Sequence, residues 1–202
     1  MAAAGSCEPV RLRGSAFARA AMRLLGWRVA FDGRLPARQG VLIVYPHTSN
    51  WDFVWGVLAK WSIGIPLVFW GKDTLFRVPL FGRWLRWLGG VPVERHAPRG
   101  AVGAMAQRLL DAKAQGRFMW LALAPEGTRR LQPAWRSGFY RVALQAELPL
   151  GIAYFDYARR VVGVAGFIRL VGDEAQDMAT IARHLACSHG RRPSQAAPIR
   201  LP

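Results

Sequence analysis

The sequence predicts an α/β fold: a single domain with a mostly parallel central sheet flanked by helices. Two observations lead there. Short apolar runs, as strands buried on both faces would have, alternate along the chain with segments of helical period. At 202 residues, 52% hydrophobic and 20% charged, the chain is long enough for one sizeable core and too short for a repeat array or a multidomain machine.

Taken in order, residues 1–14 are small and polar without a period and read as a disordered tail. Ser15 can cap a helix to about Leu25, with Phe17, Ala21, Leu24 and Leu25 on one face and Arg19 and Arg23 on another. Trp27, Val29 and Phe31 alternate with polar residues up to the turn signal Asp32-Gly33, as a half-buried strand does. Val41 to Tyr45 is a solid apolar run, followed by a helix from about Trp51 to Trp61 and a strand from Pro66 to Trp70. Leu80 to Leu88 is a short helix with Arg83 and Arg86 on one side and Trp84, Trp87 and Leu88 near the other. A strand at Val91 to Arg95, a helix over 100–115, a strand at Arg117 to Ala124 and a helix at Gly138 to Ala146 come next. Strands at Leu150 to Asp156 and Val161 to Leu170 and a helix over 174–186 complete a domain spanning 15–187. Residues 188–202, with three Pro and three Arg, read as a second disordered tail.

Lys and Arg number 28 against 12 Asp and Glu, a formal net charge of +16. Such a surface seeks anions: nucleic acid, anionic lipid or phosphorylated small molecules. Coding bias is the competing source of part of the Arg excess. Cys7 and Cys187 stand alone, without C-x-x-C or His spacing, so neither a disulfide framework nor a metal site is expected. Trp51, Trp55, Trp61, Trp70, Trp84 and Trp87 cluster in one stretch, and Trp beside Arg suits a membrane interface, with burial in the core as the alternative. The apolar stretch Phe53 to Gly71 is broken by Lys60 and Pro66, so it is read as helix, turn and strand and not as a span. Met1 to Gly14 has no apolar segment and cleavage site of the secretory kind. The expected location is therefore the cytoplasmic face of a membrane, as a peripheral or monotopic protein.

In open α/β sheets, reactive groups collect in loops beyond the carboxyl ends of the strands. Here those loops are Pro46-His47-Thr48-Ser49-Asn50-Trp51-Asp52, Gly71 to Pro79, and Pro125-Glu126-Gly127-Thr128-Arg129-Arg130. His47 and Asp52 lie five apart, the wrong spacing for one face of a continuous helix. If a helix is capped at Thr48, Ser49 or Asn50, Asp52 sits in its first turn and can reach back to the imidazole before it. A carboxylate on one ring nitrogen fixes the tautomer and leaves the other nitrogen as a base, as in a Ser-His-Asp triad. Such a pair also occurs as a plain structural contact. The neighbouring loops add cations beside glycines: Lys72 after Gly71, then Arg77, and Arg129 and Arg130 after Gly127. Glycine permits close backbone approach and Arg grips phosphate bidentately, although any one of these cations could be ordinary solvated charge.

These residues resemble the four ordered motifs of the glycerolipid acyltransferases, the 1-acyl-sn-glycerol-3-phosphate (lysophosphatidic acid) acyltransferase group. His47-Thr-Ser-Asn-Trp-Asp52 resembles the family's H-x-x-x-x-D, Gly71 to Pro79 its second block, Pro125-Glu126-Gly127-Thr128-Arg129 its P-E-G-T-R, and Leu148-Pro149 with the following strand its fourth, over roughly residues 26–170. Two positions depart: Gly151 stands where many members have a second proline, and Arg136-Ser137-Gly138 where Lys-x-Gly is usual. The resemblance implies transfer of an acyl group from a thioester, acyl-CoA or acyl carrier protein, to the hydroxyl of a lysophospholipid such as 1-acyl-sn-glycerol-3-phosphate, with no further cofactor. It implies His47 as general base and Asp52 as its orienting carboxylate. Lys72, Arg77 and Arg129 would hold the acceptor phosphate; Glu126 and Gly127 would shape the loop, Glu126 orienting a cation or hydroxyl, and Thr128 would join them among the substrate-binding residues. The expected partners are the thioester donor, the lysolipid, an anionic membrane surface and a carrier protein. Trp51 and Trp55 are expected as walls of the acyl pocket.

Three other readings compete. A different lysolipid acceptor, such as an ornithine-type aminolipid, keeps the fold and changes the anion site. Hydrolysis uses the same His47 and Asp52 with water in place of the acceptor. A basic nucleic-acid-binding protein fits the net charge, yet the chain shows no helix-turn-helix, RNP-type strand or lysine-rich arm, so nucleic acid is not an expected partner.

Overall fold

The computed structural model describes residues 10–93 and 98–202. In chain order the elements are β1 (Val10–Arg11), α1 (Ala16–Leu24), β2 (Arg28–Ala30), β3 (Arg34–Leu35), β4 (Gln39–Tyr45), α2 (Trp51–Ile63), β5 (Leu67–Lys72), α3 (Asp73–Phe76), α4 (Pro79–Trp87), β6 (Gly90–Val93), α5 (Pro98–Ala114), β7 (Met119–Leu123), α6 (Gly138–Gln145), β8 (Leu150–Asp156), β9 (Val161–Ile168) and α7 (Glu174–Leu185). Seven strands form one sheet in the order β2-β9-β8-β4-β7-β5-β6, and β1 pairs with β3 apart from it. From β8 to β6 every neighbour is parallel, while β9 returns antiparallel to β8 and carries β2 beside it. The sheet is mostly parallel and the architecture is α/β, as the alternation of elements predicts.

Side-chain alternation on the central strands divides the interior. Val41 and Ile43 of β4 point with Leu121, Leu150 and Ile152 to one face, packed by α5, α6 and α7 through residues such as Leu109, Phe139 and Ile181. Leu42 points to the other face, with Trp120, Ala122 and Ala153. On that side α1 and α2 close over the sheet edge through Met22, Trp27, Trp55, Ala59, Phe155 and Val162. Strands β4, β7 and β5 are adjacent and parallel, so the three motif-bearing loops leave the sheet from one edge.

Both expected tails are corrected in part. Val10 and Arg11 pair with Leu35 and Arg34; residues 1–9 lie outside the described residues, as do Glu94 and Arg95 of the strand expected at 91–95. Residues 188–202 are not a loose tail: Ala197 is fully buried, the Trp135 N–H donates to the Arg200 carbonyl (2.8 Å) and the Tyr157 N–H to the His189 carbonyl (2.8 Å). Their Pro and Arg content reads as disorder, but Ala197, Ile199 and Leu201 join the apolar cluster behind the sheet, which a count of residue types does not register.

At Gly40 a Cβ would meet the Trp120 ring at 2.5 Å, and Trp120 is fully buried with its indole N–H on the Ala37 carbonyl (3.1 Å). Gly40→Ala is expected to cost about 1–3 kcal/mol of stability by overpacking, measured by urea unfolding. An unchanged midpoint would contradict this packing.

Candidate active site

The helix start at Trp51 creates the first half of the site. Asn50 makes no side-chain cap; the Trp51 N–H donates to Ser49 Oγ (3.2 Å) and the Ser49 N–H to Asp52 Oδ2 (2.8 Å). Asp52 thus folds back across its own helix terminus in the manner of a capping box. Its side chain is fully buried, and the same Oδ2 lies 3.3 Å from Nδ1 of His47, whose side chain is 20% exposed. The pairing read from the sequence is present. The second oxygen, Oδ1, accepts from the Tyr157 hydroxyl at 2.5 Å, a contact with no signal in the local motif because Tyr157 arrives from the end of β8.

A cavity of about 1250 Å³ lies between the sheet and α2, larger than the roughly 300–1,000 Å³ of an ordinary small-ligand pocket. Its walls are apolar: Leu42, Val44, Ala122, Ala153 and Phe155 from the sheet, and Phe53, Gly56 and Val57 from α2. Around its loop end stand His47, Asp52, Lys72, Thr128, Arg129 and Arg136. Lys72 and Arg129 are exposed at their chain positions, and Arg129 Nε donates to the Ser49 carbonyl at 3.2 Å, which ties the third loop to the first. Gly127 lies in the cavity lining at φ +68 with the Arg136 side chain across it, 2.5 Å from where a Cβ would stand. Arg141 of α6 also lines the cavity and has no place in the motif reading. No group of three or more His, Cys, Asp or Glu positioned to hold a metal is found among the described residues.

Three expectations are corrected. Glu126 shapes its loop from within and is not placed to orient a cation or hydroxyl in the cavity: it is 1% exposed, and its two oxygens accept from the His47 N–H and from the Ala197 N–H (3.0 Å). Burial pushes its carboxyl above the usual range, opposed by those two N–H donors and by the nearby His47. Arg77 does not line the cavity; its guanidinium pairs with Asp73 at 2.9 Å, one helical turn back. Trp51 and Trp55 are not pocket walls. Trp55 stacks on Trp27 with ring centroids 4.5 Å apart, and Trp51 lies 6.2 Å from Trp55. The helical period explains this, since residues 53, 56 and 57 turn to the sheet while 51 and 55 turn toward α1 and β2.

Besides Tyr157 and Arg141, the C-terminal segment is a part of the site without a signal in the motifs. Besides Ala197 on Glu126, the Arg192 N–H donates to Thr48 Oγ1 (3.2 Å), Tyr45 donates its hydroxyl to the Ala197 carbonyl (3.1 Å), and Arg191 lies over the Trp51 ring at 5.6 Å. Burial, then Glu126, pushes the Tyr45 phenol up to about 12.

The sequence profile of the Acyltransferase family matches residues 27–155. The chain belongs to the Acyltransferase family. The structure is similar to the crystal structure of the 1-acyl-sn-glycerophosphate (LPA) acyltransferase PlsC from Thermotoga maritima, with a TM-score of 0.57 and 16% identity over 84% of this chain and 76% of that chain. At that identity the likeness shows a shared fold. No curated protein matches the chain. The matched span holds the His47, Lys72 and Glu126–Arg129 loops and ends within β8, so the Tyr157 and C-terminal contacts of this acyltransferase fall outside it.

Glu126→Gln would set an amide NH₂ against one of the two backbone N–H donors that the carboxylate now accepts. The expected loss is about 1–3 kcal/mol of stability, measured by denaturant unfolding. A stability equal to wild type would show that one of the two bonds is dispensable.

Proposed function

We propose that this acyltransferase moves a fatty acyl group from a thioester, acyl-CoA or acyl carrier protein, to the free hydroxyl of a lysophospholipid, 1-acyl-sn-glycerol-3-phosphate being the acceptor that fits best, to give phosphatidic acid. The observation that carries the reading is a His–Asp pair beside an apolar cavity that is ringed by cations at the same end. His47 presents Nδ1 to Asp52, so Nε2 is the basic nitrogen in this scheme. It takes the acceptor hydroxyl proton as the oxygen bonds to the thioester carbonyl carbon. The tetrahedral oxyanion then collapses, the C–S bond breaks, and the departing thiolate takes the proton from the imidazolium. No acyl-enzyme forms. Lys72 and Arg129, with Arg136 and Arg141, supply the charge for the acceptor phosphate, and the apolar cavity houses an acyl chain.

The acceptor lives in a bilayer, and the helical side of the protein suits one. Phe17 and Leu24 of α1, and Leu80, Phe81, Trp84 and Trp87 of α4, are all exposed, and Trp61 of α2 meets Trp87 at 6.1 Å. Arg23, Arg83 and Arg86 are exposed beside them. No helix among the described residues is long and apolar enough to cross a membrane. The proposed attachment is peripheral, to the anionic cytoplasmic leaflet, with the aromatic and leucyl side chains at headgroup depth. A second reading changes only the acceptor to an aminolipid and is favoured by Arg77 turning away to Asp73; in that case Arg129→Ala leaves acceptor KM unchanged.

Thiol release from palmitoyl-CoA with and without lysophosphatidic acid, together with chromatography of the lipids, tests the activity. Lysophosphatidate is expected to stimulate release and yield phosphatidate, and His47→Ala to lower the rate about 10²–10⁴-fold; release without acceptor would make the protein a hydrolase. In a separate measurement, Arg83→Glu combined with Arg86→Glu is expected to weaken sedimentation with phosphatidylglycerol vesicles at least tenfold, at about 1 kcal/mol per cation. Equal binding to neutral phosphatidylcholine vesicles would remove the electrostatic part of the attachment.

A further inference from the structure

The acyl-transfer reading uses one oxygen of Asp52 and leaves the other unexplained. That second oxygen is not idle: Oδ1 is bonded to Tyr157 at 2.5 Å inside a carboxylate with no solvent exposure. We propose that Tyr157 is the positioning residue of the site, holding Asp52 so that its other oxygen faces His47, and that residues 189–192 lock Tyr157 in register with the His47 loop. The inference rests on the acyl-transfer reading for its consequence in rate, but its geometry stands apart from it.

A carboxylate in the first turn of a helix can rotate about its Cα–Cβ and Cβ–Cγ bonds. Oδ2 of Asp52 is held by the Ser49 N–H at 2.8 Å, and that single bond does not set the tilt of the carboxyl plane. A second donor on Oδ1 does, and it also satisfies that buried acceptor. The phenol is well placed for this task because its ring is immobilised. Trp27 meets it edge to face at 4.9 Å, and Phe155 lies tilted beside it at 6.5 Å. Burial first, then the bond to Asp52 and the charge of Asp52, hold the phenol above the usual tyrosine range, which favours the protonated, donating form.

The main chain of Tyr157 is tied in turn. Its N–H donates to the His189 carbonyl (2.8 Å), and the His189 N–H to the Phe155 carbonyl (3.2 Å). One residue on, Gly190 lies so close to Thr48 that a Cβ would stand 2.8 Å from Thr48 Oγ1; that same hydroxyl accepts from the Arg192 N–H. A short piece of the C-terminal segment therefore spans from the residue carrying the phenol to the residue beside the base. The two ends of this piece, His189 and Arg192, lie three positions apart in sequence, and each is hydrogen-bonded to the site.

Among the described residues, the charged and titratable groups around Asp52 include His47 on its own loop, Glu126 and Arg129 from the loop after β7, the latter on the carbonyl of Ser49, Tyr157 from the turn after β8 and, beyond the phenol, Arg191 from the C-terminal segment. Tyr157 shares the Asp52 charge through a side-chain hydrogen bond on Oδ1. Without the phenol O–H, more of that negative charge falls on the His47 imidazolium and stabilises it.

The test uses the full chain and needs no substrate for its first arm. The imidazole of His47 is titrated by ¹⁵N NMR in wild type and in Tyr157→Phe from about pH 5 to about pH 9. The expected result is a higher midpoint in Tyr157→Phe and, in the Asp52→Asn background, no further change when Tyr157→Phe is added, as coupling through Asp52 requires. Superposing titrations in wild type and Tyr157→Phe overturn the proposal, and so does an equal shift in the Asp52→Asn background. In the second arm kcat falls about tenfold, the loss of one hydrogen bond to a charged group, KM stays within about twofold, and the acid limb of the pH–rate profile moves with the NMR midpoint. A kcat unchanged in Tyr157→Phe overturns the rate consequence. If wild type releases no thiol with any lysolipid, the acyl-transfer reading fails while the NMR arm still decides the role of Tyr157.

Discussion

A carboxylate buried at the centre of three chain segments organises the loop end of the molecule, where the candidate site lies. Glu126 receives the backbone N–H of His47 on one oxygen and of Ala197 on the other. A buried charge of this kind is tolerated only where its acceptors are satisfied. The requirement for two donors draws the loop after β4 and the C-terminal segment onto the loop after β7. The position of the His47 main chain, the burial of Ala197 and the closure of residues 189–192 over Thr48 belong to this one arrangement. It explains why an acidic residue stands among cations with both of its oxygens taken up by main-chain N–H groups.

The sheet supplies a second constraint. Parallel strands buried on both faces need cover on both, and the two covers differ. Behind β4, the helices α5, α6 and α7 fill the space with interdigitated Leu, Phe and Ile. In front, α2 arches over small residues such as Ala122 and Ala153 and leaves the large apolar cavity. Gly56 on the facing side of α2 adds to that hollow, since a Cβ there would find its nearest neighbour, Phe155, at 3.8 Å. The apolar volume and the polar loops therefore share the same strands: Leu42 lines the cavity and, a few residues on, His47 stands at its loop end.

Asp52 shows how one residue serves local and tertiary demands together. As the last residue of Ser49-Asn50-Trp51-Asp52 it caps its helix, a role any capping box has. As a buried carboxylate between His47 and Tyr157 it orients a ring and is itself oriented. The local half was legible from spacing, because helix N-termini attract acidic side chains back toward the preceding loop. The Tyr157 half was not, because a phenol more than a hundred residues distant carries no mark of its partner. The same distinction separates the successes from the corrections. Lys72, Thr128 and Arg129 reach the cavity as strand-end position suggests, while Arg77 sits one helical turn from Asp73 and pairs there. Trp51 and Trp55, close to His47 in sequence, miss the cavity because the helical period turns them to the other side of α2.

By itself the sequence determined the α/β class, the order of nearly all the elements, the loops that carry polar residues, and the pairing of His47 with Asp52. These depend on periodicity, capping and strand-end position, which act over a few residues. Only the tertiary structure decided that Glu126 ties main chain together, that Tyr157 completes the Asp52 environment, and that residues 188–202 are part of the body. Each of those depends on which buried acceptor meets which distant donor, and that is settled when the sheet order brings β8 beside β4 and the C-terminal segment returns across both.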